Sequence, residues 1–224
     1  MKFLLKVKTQ ATPIAIVFGF LLVALAIYVA GLPINVNGLG LNSAIANEVG
    51  QLKPAPKNLY GNSKAKTSIV EFSDFECSFC SRVHPVIKKI VDESAGQINW
   101  EFRHLPLPNY QNAQIVAEAS ECVAKLADNE AFWTYFQKLF DKQTYINQSS
   151  LETFVLEFGV SKNDLQNCMS SPEIKNQVAY DAEIAKKLGG NGTPFSMIVR
   201  ADGSTQPVTG ALPYDRWMQL LKTN

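Results

Sequence analysis

The chain has 224 residues, 46% of them hydrophobic and 18% charged, with 21 Lys+Arg against 20 Asp+Glu and a formal net charge of +1. Such a length and composition suit one good-sized core plus an appendage. The near balance of charge, without a clustered basic stretch, excludes a surface built for nucleic acid.

Lys2, Lys6 and Lys8 precede an uncharged run from Thr9 to Asn47. Its most apolar part, about Ile14 to Leu32, has roughly the 20 residues that a bilayer-spanning helix needs. Basic residues before the span and none just after it place the N-terminus in the cytoplasm and the rest of the chain outside. Ala44-Ile45-Ala46 has the small-residue spacing of a signal-peptidase site, so a cleavable signal sequence is the alternative. The apolar stretch ends well before those alanines, which favours an uncleaved anchor over residues 1–46. A buried core helix is the remaining reading. Either form of export puts the remainder in an oxidising compartment, where disulfides persist.

Residues 47–66 turn polar, with Pro54, Pro56 and Gly61, and read as a linker leading to a folded domain over 67–224. Thr67 to Phe72 is a short β-branched, apolar run, followed by Cys77-Ser78-Phe79-Cys80 and a helical pattern through Val83, Ile87, Ile90 and Val91. Ile98 to Leu105 reads as a strand stopped by Pro106 and Pro108. A helical block follows over about 109–188. In it Ile115, Val116, Ala119, Cys122, Val123 and Leu126 share one face, and Phe132, Phe136, Leu139 and Phe140 another. The aromatic stripe Phe132, Trp133, Phe136 and Phe140 reads as core. Leu151 to Phe158 forms a further helix ending at Gly159, Ser161 caps the next, and Ser171-Pro172-Glu173 opens another that ends at Gly189-Gly190. Phe195 to Arg200 and Gln206 to Thr209 are strands joined by a turn at Asp202-Gly203, and Tyr214 to Lys222 closes the chain as a helix. The order is that of an α/β domain with a mixed sheet and a helical insertion.

Two cysteines with two residues between them, where a strand hands over to a helix, suit dithiol chemistry. Cys77 then lies at the helix N-terminus, where unpaired N–H groups and the helix dipole favour a thiolate, and Cys80 reaches back one turn to close the disulfide. Zinc wants a second close pair, whereas Cys122 and Cys168 stand far apart, so no metal site is expected. A purely structural disulfide across so short a loop contributes little.

The segments Gly61-Asn62-Ser63-Lys64-Ala65 and Val70-Glu71-Phe72-Ser73-Asp74-Phe75-Glu76-Cys77-Ser78-Phe79-Cys80 resemble the DsbA-like thioredoxin-fold oxidoreductases, in particular their membrane-anchored branch. Phe102-Arg103-His104-Leu105-Pro106-Leu107, Gly192-Thr193-Pro194 and Gly210-Ala211-Leu212-Pro213-Tyr214 extend the resemblance to the C-terminus. It implies a thioredoxin fold and makes Thr193-Pro194 a cis-proline loop that faces the cysteines and holds an extended substrate chain. It also makes Glu71 a buried acid that assists proton transfer at Cys80. Pro85 is expected to kink the active-site helix.

The dipeptide Ser78-Phe79 departs from the histidine that strongly oxidising relatives place beside the second cysteine, and from the Gly-Pro of reducing thioredoxins. Ser78, Phe79 and His84 are therefore the expected redox-tuning residues, and Glu76, next to Cys77, is expected to oppose its thiolate. His104 reads as a strand residue with a satisfied ring. Cys122 and Cys168 fall on helices with apolar neighbours and are expected to pair as a structural disulfide, with electron shuttling the alternative.

These readings together suggest an extracytoplasmic thiol–disulfide oxidoreductase that oxidises reduced exported proteins. By resemblance a membrane quinone-linked partner of the DsbB or VKOR type recharges it; a monomer without organic cofactor or metal is expected. A reductase or isomerase of the same fold, a Cu(I) carrier using Cys77 and Cys80, and a binding module for unfolded chains are the rivals.

Overall fold

A computed structural model describes Leu52 and residues 58–222. The segment 1–46 read as an anchor or signal sequence lies outside the described residues. Among those described, no helix is long and apolar enough to cross a membrane.

Among the described residues, five strands form one sheet: β1 (Leu59–Gly61), β2 (Thr67–Ser73), β3 (Ile98–His104), β4 (Phe195–Arg200) and β5 (Thr205–Thr209), in the spatial order β1-β3-β2-β4-β5. β2 pairs parallel with β3 and antiparallel with β4, and the outer pairs are antiparallel, so the sheet is mixed. Helix α1 (Ser78–Glu93) connects β2 to β3 as the crossover that a parallel pair requires. The insertion holds α2 (Ala113–Leu126), α3 (Asn129–Asp141), α4 (Gln148–Phe154), α5 (Lys162–Ser170) and α6 (Pro172–Lys187), and α7 (Tyr214–Lys222) is the last described element.

β1 corrects the boundary drawn at Thr67. Leu59–Gly61 lies in the stretch read as linker, yet it pairs with Asn99–Glu101 of β3. Three residues are too few to show an alternating pattern, and their pairing is set by a strand some 40 positions away. Pro207 sits in β5, an edge strand, where a missing N–H does not break the ladder.

The strand period of two sorts β2 between two cores. Ile69 joins the larger core beneath α1 to α5, whereas Val70 and Phe72 join a smaller one with Ile184, Phe195 and Met197. Glu71 therefore faces the α1 side, although it is charged and fully buried. β3 sorts likewise: Trp100 and Phe102 face the larger core, and Arg103 lies 3.7 Å from Asp181 of α6 while donating to Glu101 at 2.7 Å. Burial pushes Asp181 up to about 6. His104 bonds Glu121 of α2 at 2.8 Å through Nε2.

Caps bound the insertion's helices as the sequence suggests. Ser161 accepts from the Asp164 N–H, Ser171 precedes Pro172 at the first turn of α6, and Gly159 takes the left-handed φ of +72° that ends a helix. Leu126 departs from the expected apolar face, being 42% exposed at the end of α2. Phe132, Phe136 and Phe140 are buried in the larger core.

Cys122 of α2 and Cys168 of α5 are disulfide-bonded, closing a sequence separation of 46. In the chain-entropy model such a loop contributes about 4 kcal/mol. Replacing both cysteines with alanine is expected to lower the unfolding free energy by about that amount in urea titrations without reductant. Thiol exchange at Cys77 and Cys80 should persist under native conditions.

Candidate functional site

β2 ends at Ser73, and the chain turns toward α1 through Asp74, whose Oδ1 accepts the Glu76 N–H at 2.8 Å. This local side-chain-to-backbone bond makes a tight turn. The Asp74 carbonyl accepts the Cys77 N–H at 3.1 Å, and its Oδ2 accepts the Leu107 N–H at 2.7 Å, so one aspartate joins the loops after β2 and β3. Burial pushes Asp74 up to about 6 against those two bonds.

Cys77 is the N-cap of α1, with extended φ and ψ of −81° and 117°. Both cysteines are reduced and buried. A hydrogen bond with Cys80 is the main cause that brings Cys77 down from 9.0 to about 5; Thr193 and the backbone N–H groups of Cys80 and Phe79 add to it, and burial opposes it. Cys80 moves the opposite way. Burial is the largest cause that holds it far above the ordinary thiol range, followed by its hydrogen bond to Cys77 and the charges of Glu71 and Cys77. The first sulfur is thus suited to act as nucleophile and leaving group, and burial favours the thiol form of the second.

The loop before β4 closes over the pair. Thr193-Pro194 is a cis peptide, and the Thr193 carbonyl accepts from Cys77 Sγ at 3.4 Å. A Cβ on Gly190 would meet the Phe195 ring at 2.6 Å, so only glycine allows the turn to pack this tightly against the start of β4.

Glu76 does not face Cys77: its carboxylate accepts the Asn112 N–H at 2.7 Å and Asn112 Nδ2 at 3.2 Å, at the start of α2, where the helix dipole favours a negative charge. His84, expected to tune Cys77, has its Nε2 2.9 Å from Glu71 Oε1 and 3.3 Å from Ser73 Oγ. Ser78 is exposed, and the 54%-exposed Phe79 carries the Arg82 guanidinium 4.2 Å over its ring. Pro85 lies inside α1. Among the described residues, no three His, Cys, Asp or Glu side chains are grouped to hold a metal ion.

The thioredoxin family profile matches residues 55–222. The chain belongs to the thioredoxin family. Its fold is similar to that of Pseudomonas aeruginosa DsbA2, at 29% identity and a TM-score of 0.66 over 75% of this chain and 93% of the other. It is also similar to the catalytic domain of Proteus mirabilis ScsC, at 25% identity and a TM-score of 0.68 over 81% and 96%. Among curated proteins it resembles disulfide bond formation protein D of Bacillus subtilis, 26% identical over 60% of this chain and 64% of that protein. A segment of the Na(+)/H(+) antiporter NhaA 3 of Salinispora tropica is 26% identical over 70% of this chain, but the match spans only 24% of the antiporter. The DsbA-like resemblance carried by the motifs thus holds for the whole thioredoxin domain.

Three residues of this thioredoxin site escaped the sequence. Asp74 carried a signal, since an aspartate between a strand and a helix commonly builds such a turn. Tyr110, beyond β3, lies beside Cys77, and burial and the Cys77 charge hold its hydroxyl above the ordinary range. Gln143, from a 3₁₀ turn (Gln143–Tyr145) after α3, donates Nε2 to the Phe75 carbonyl at 2.8 Å and the Cys77 carbonyl at 3.2 Å, and no local pattern marked it.

The thiolate absorbance of reduced protein near 240 nm is expected to titrate with a midpoint of about 5 and to vanish in Cys77→Ser. Gln143→Leu should lower stability by about 1–2 kcal/mol in denaturant titrations, because it strips a donor from partly buried carbonyls. It should also accelerate alkylation of Cys77 by loosening the loop.

Proposed function

We propose that the protein is an extracytoplasmic thiol–disulfide oxidoreductase that donates its Cys77–Cys80 disulfide to exported proteins. The observation that carries the reading is the unlike placement of the two sulfurs, Cys77 at the N-cap of α1 and Cys80 fully buried one turn in, which draws Cys77 down to about 5 and holds Cys80 far above the thiol range. A stabilised Cys77 thiolate favours the reduced pair, and a pair that favours reduction is an oxidant of other thiols.

The exchange runs in two steps. A substrate thiolate attacks Cys77 Sγ; a substrate–Cys77 bond forms, the Cys77–Cys80 bond breaks, and the electron pair leaves on Cys80, which takes a proton. A second substrate thiolate then attacks the substrate sulfur of the mixed disulfide and expels Cys77 as a thiolate, a good leaving group because of its low pKa. Two electrons have passed from two substrate thiols to the pair. Thr193 beside Cys77 offers backbone to an extended substrate chain. Recharging falls to a membrane quinone-linked protein of the DsbB or VKOR type, near which an anchor over 1–46 holds this monomeric domain. The likeness to disulfide bond formation protein D supports this direction.

The absence of a histidine at Phe79 favours a second reading, a reductase or isomerase of the same chemistry. Equilibration with glutathione buffers, read by alkylation of the free thiols, separates the two. A potential near about −120 mV is expected, and one near about −270 mV would reverse the direction of flow. Tight stoichiometric Cu(I) uptake without turnover of a reduced substrate would point instead to a metal carrier.

A consequence for stability follows. The Cys77 pKa is depressed on folding, so its contribution to the reduced form is full above about 9 and is lost as pH falls through about 5. At pH 7 reduced protein should melt above oxidised protein, and the gap should close in melts repeated down to pH 5.

A further inference from the structure

Glu71 is fully buried on the strand beneath α1, and its Oε2 has no hydrogen-bond partner. Its Oε1 meets His84 Nε2 at 2.9 Å. His84 follows Cys80 by four residues on α1, so the two side chains are neighbours on the helix face that packs against β2. The charge of Glu71 acts on Cys80. These three groups therefore form one buried cluster behind the nucleophile.

The other side of His84 opens differently. Its ring lines a cavity of about 650 Å³ between α1 and α3, whose rim includes the exposed Lys88, Gln137 and Asp141. Its Nδ1 is buried and has no protein partner. Phe140 and Phe136 hold the ring at centroid distances of 4.2 Å and 4.8 Å, and Trp100 at 5.3 Å, so the imidazole keeps Nε2 on Glu71. Besides Glu71, the titratable groups around this ring are Lys88 on α1, Glu130 and Asp141 on α3 and Tyr60 on β1, all lining the cavity.

We propose that His84 is the proton conduit between this cavity and the buried Glu71–Cys80 pair. The inference rests on the dithiol exchange described above and assigns how its buried sulfur receives a proton. When the Cys77–Cys80 bond breaks, Cys80 leaves as a thiolate with no solvent beside it. His84 Nε2 gives its proton to the Glu71 carboxylate, which passes it on to that sulfur, and Nδ1 is reprotonated from the cavity side. The imidazole ends neutral, with its proton moved from Nε2 to Nδ1. When the disulfide re-forms, Cys80 loses a proton, the transfer runs backwards and the ring is reset. One proton enters and one leaves per cycle, and no further co-reactant is needed. His84 acts through Glu71 and so is a positioning and relay residue.

The test uses His84→Gln, which keeps an amide donor for Glu71 but cannot relay a proton, and His84→Ala, which leaves a space that free imidazole can enter. Stopped-flow fluorescence follows reduction of the disulfide by a small thiol between pH 5 and 9. Near-ultraviolet circular dichroism checks folding, and the 240 nm titration checks Cys77. His84→Gln is expected to slow the step on the order of 100-fold, at the low end for general acid–base groups, with the Cys77 midpoint unmoved. His84→Ala should be equally slow and recover in a saturable way with added imidazole, whereas a residue with only a packing role would give no such recovery. Wild-type rates in His84→Gln, or a His84→Ala protein that stays slow at every imidazole concentration, overturn the conduit. Failure of the wild-type protein to exchange thiols at all would instead sink the redox reading on which it rests.

Discussion

The hydrogen bond between Cys77 and Cys80 is the interaction on which the site depends. It lowers Cys77 and adds to the burial that raises Cys80, and it does so because the two sulfurs occupy unlike positions. Cys77 caps a helix and meets the backbone N–H groups of Phe79 and Cys80, whereas Cys80 lies one turn in, fully buried. Negative charge is tolerated at the first position and excluded from the second. The surrounding fold serves to keep that difference. β2 delivers the chain to the helix start, Asp74 fixes the turn, and the Thr193 loop, packed close through Gly190, covers the sulfur.

The helical insertion is part of the same machinery. Gln143 grips the carbonyls of Phe75 and Cys77, Asn112 takes up the Glu76 carboxylate, and Phe136 and Phe140 press on both Phe75 and His84. Three separate parts of the insertion thus converge on one loop. Its disulfide ties α2 to α5.

What the sequence made legible was local. The strand before the cysteines, the helix after them, the capped helices of the insertion and the C-terminal hairpin all follow from residues within a turn or two of one another. What it hid were partners brought together by packing. β1 is a strand only because β3 lies beside it, and the Glu76 carboxylate is held by hydrogen bonds from Asn112, 36 positions away. The adjacency of Glu76 to Cys77 suggested repulsion, but the Asp74 turn aims the two side chains apart. Glu71 was legible as a buried acid through resemblance alone. Its bond to His84 required knowing that α1 lies on the same face of the sheet as the odd-numbered residues of β2.

Two carboxyl groups close to a dithiol are an expensive arrangement, since each costs several kcal/mol to bury as an anion. Asp74 offsets that cost with two backbone N–H bonds and still titrates near 6, so above that pH its charge opposes the Cys77 thiolate across the turn. Glu71 has no backbone donors: its bond is to a histidine, and one oxygen stays unpaired. A residue kept only for stability at that position would be apolar like its neighbours Val70 and Phe72, which pack the other face of the strand. The difference between the two acids is therefore informative. Asp74 is held by bonds that build the loop, while Glu71 is left short of partners beside the buried sulfur that gains and loses a proton in the proposed cycle.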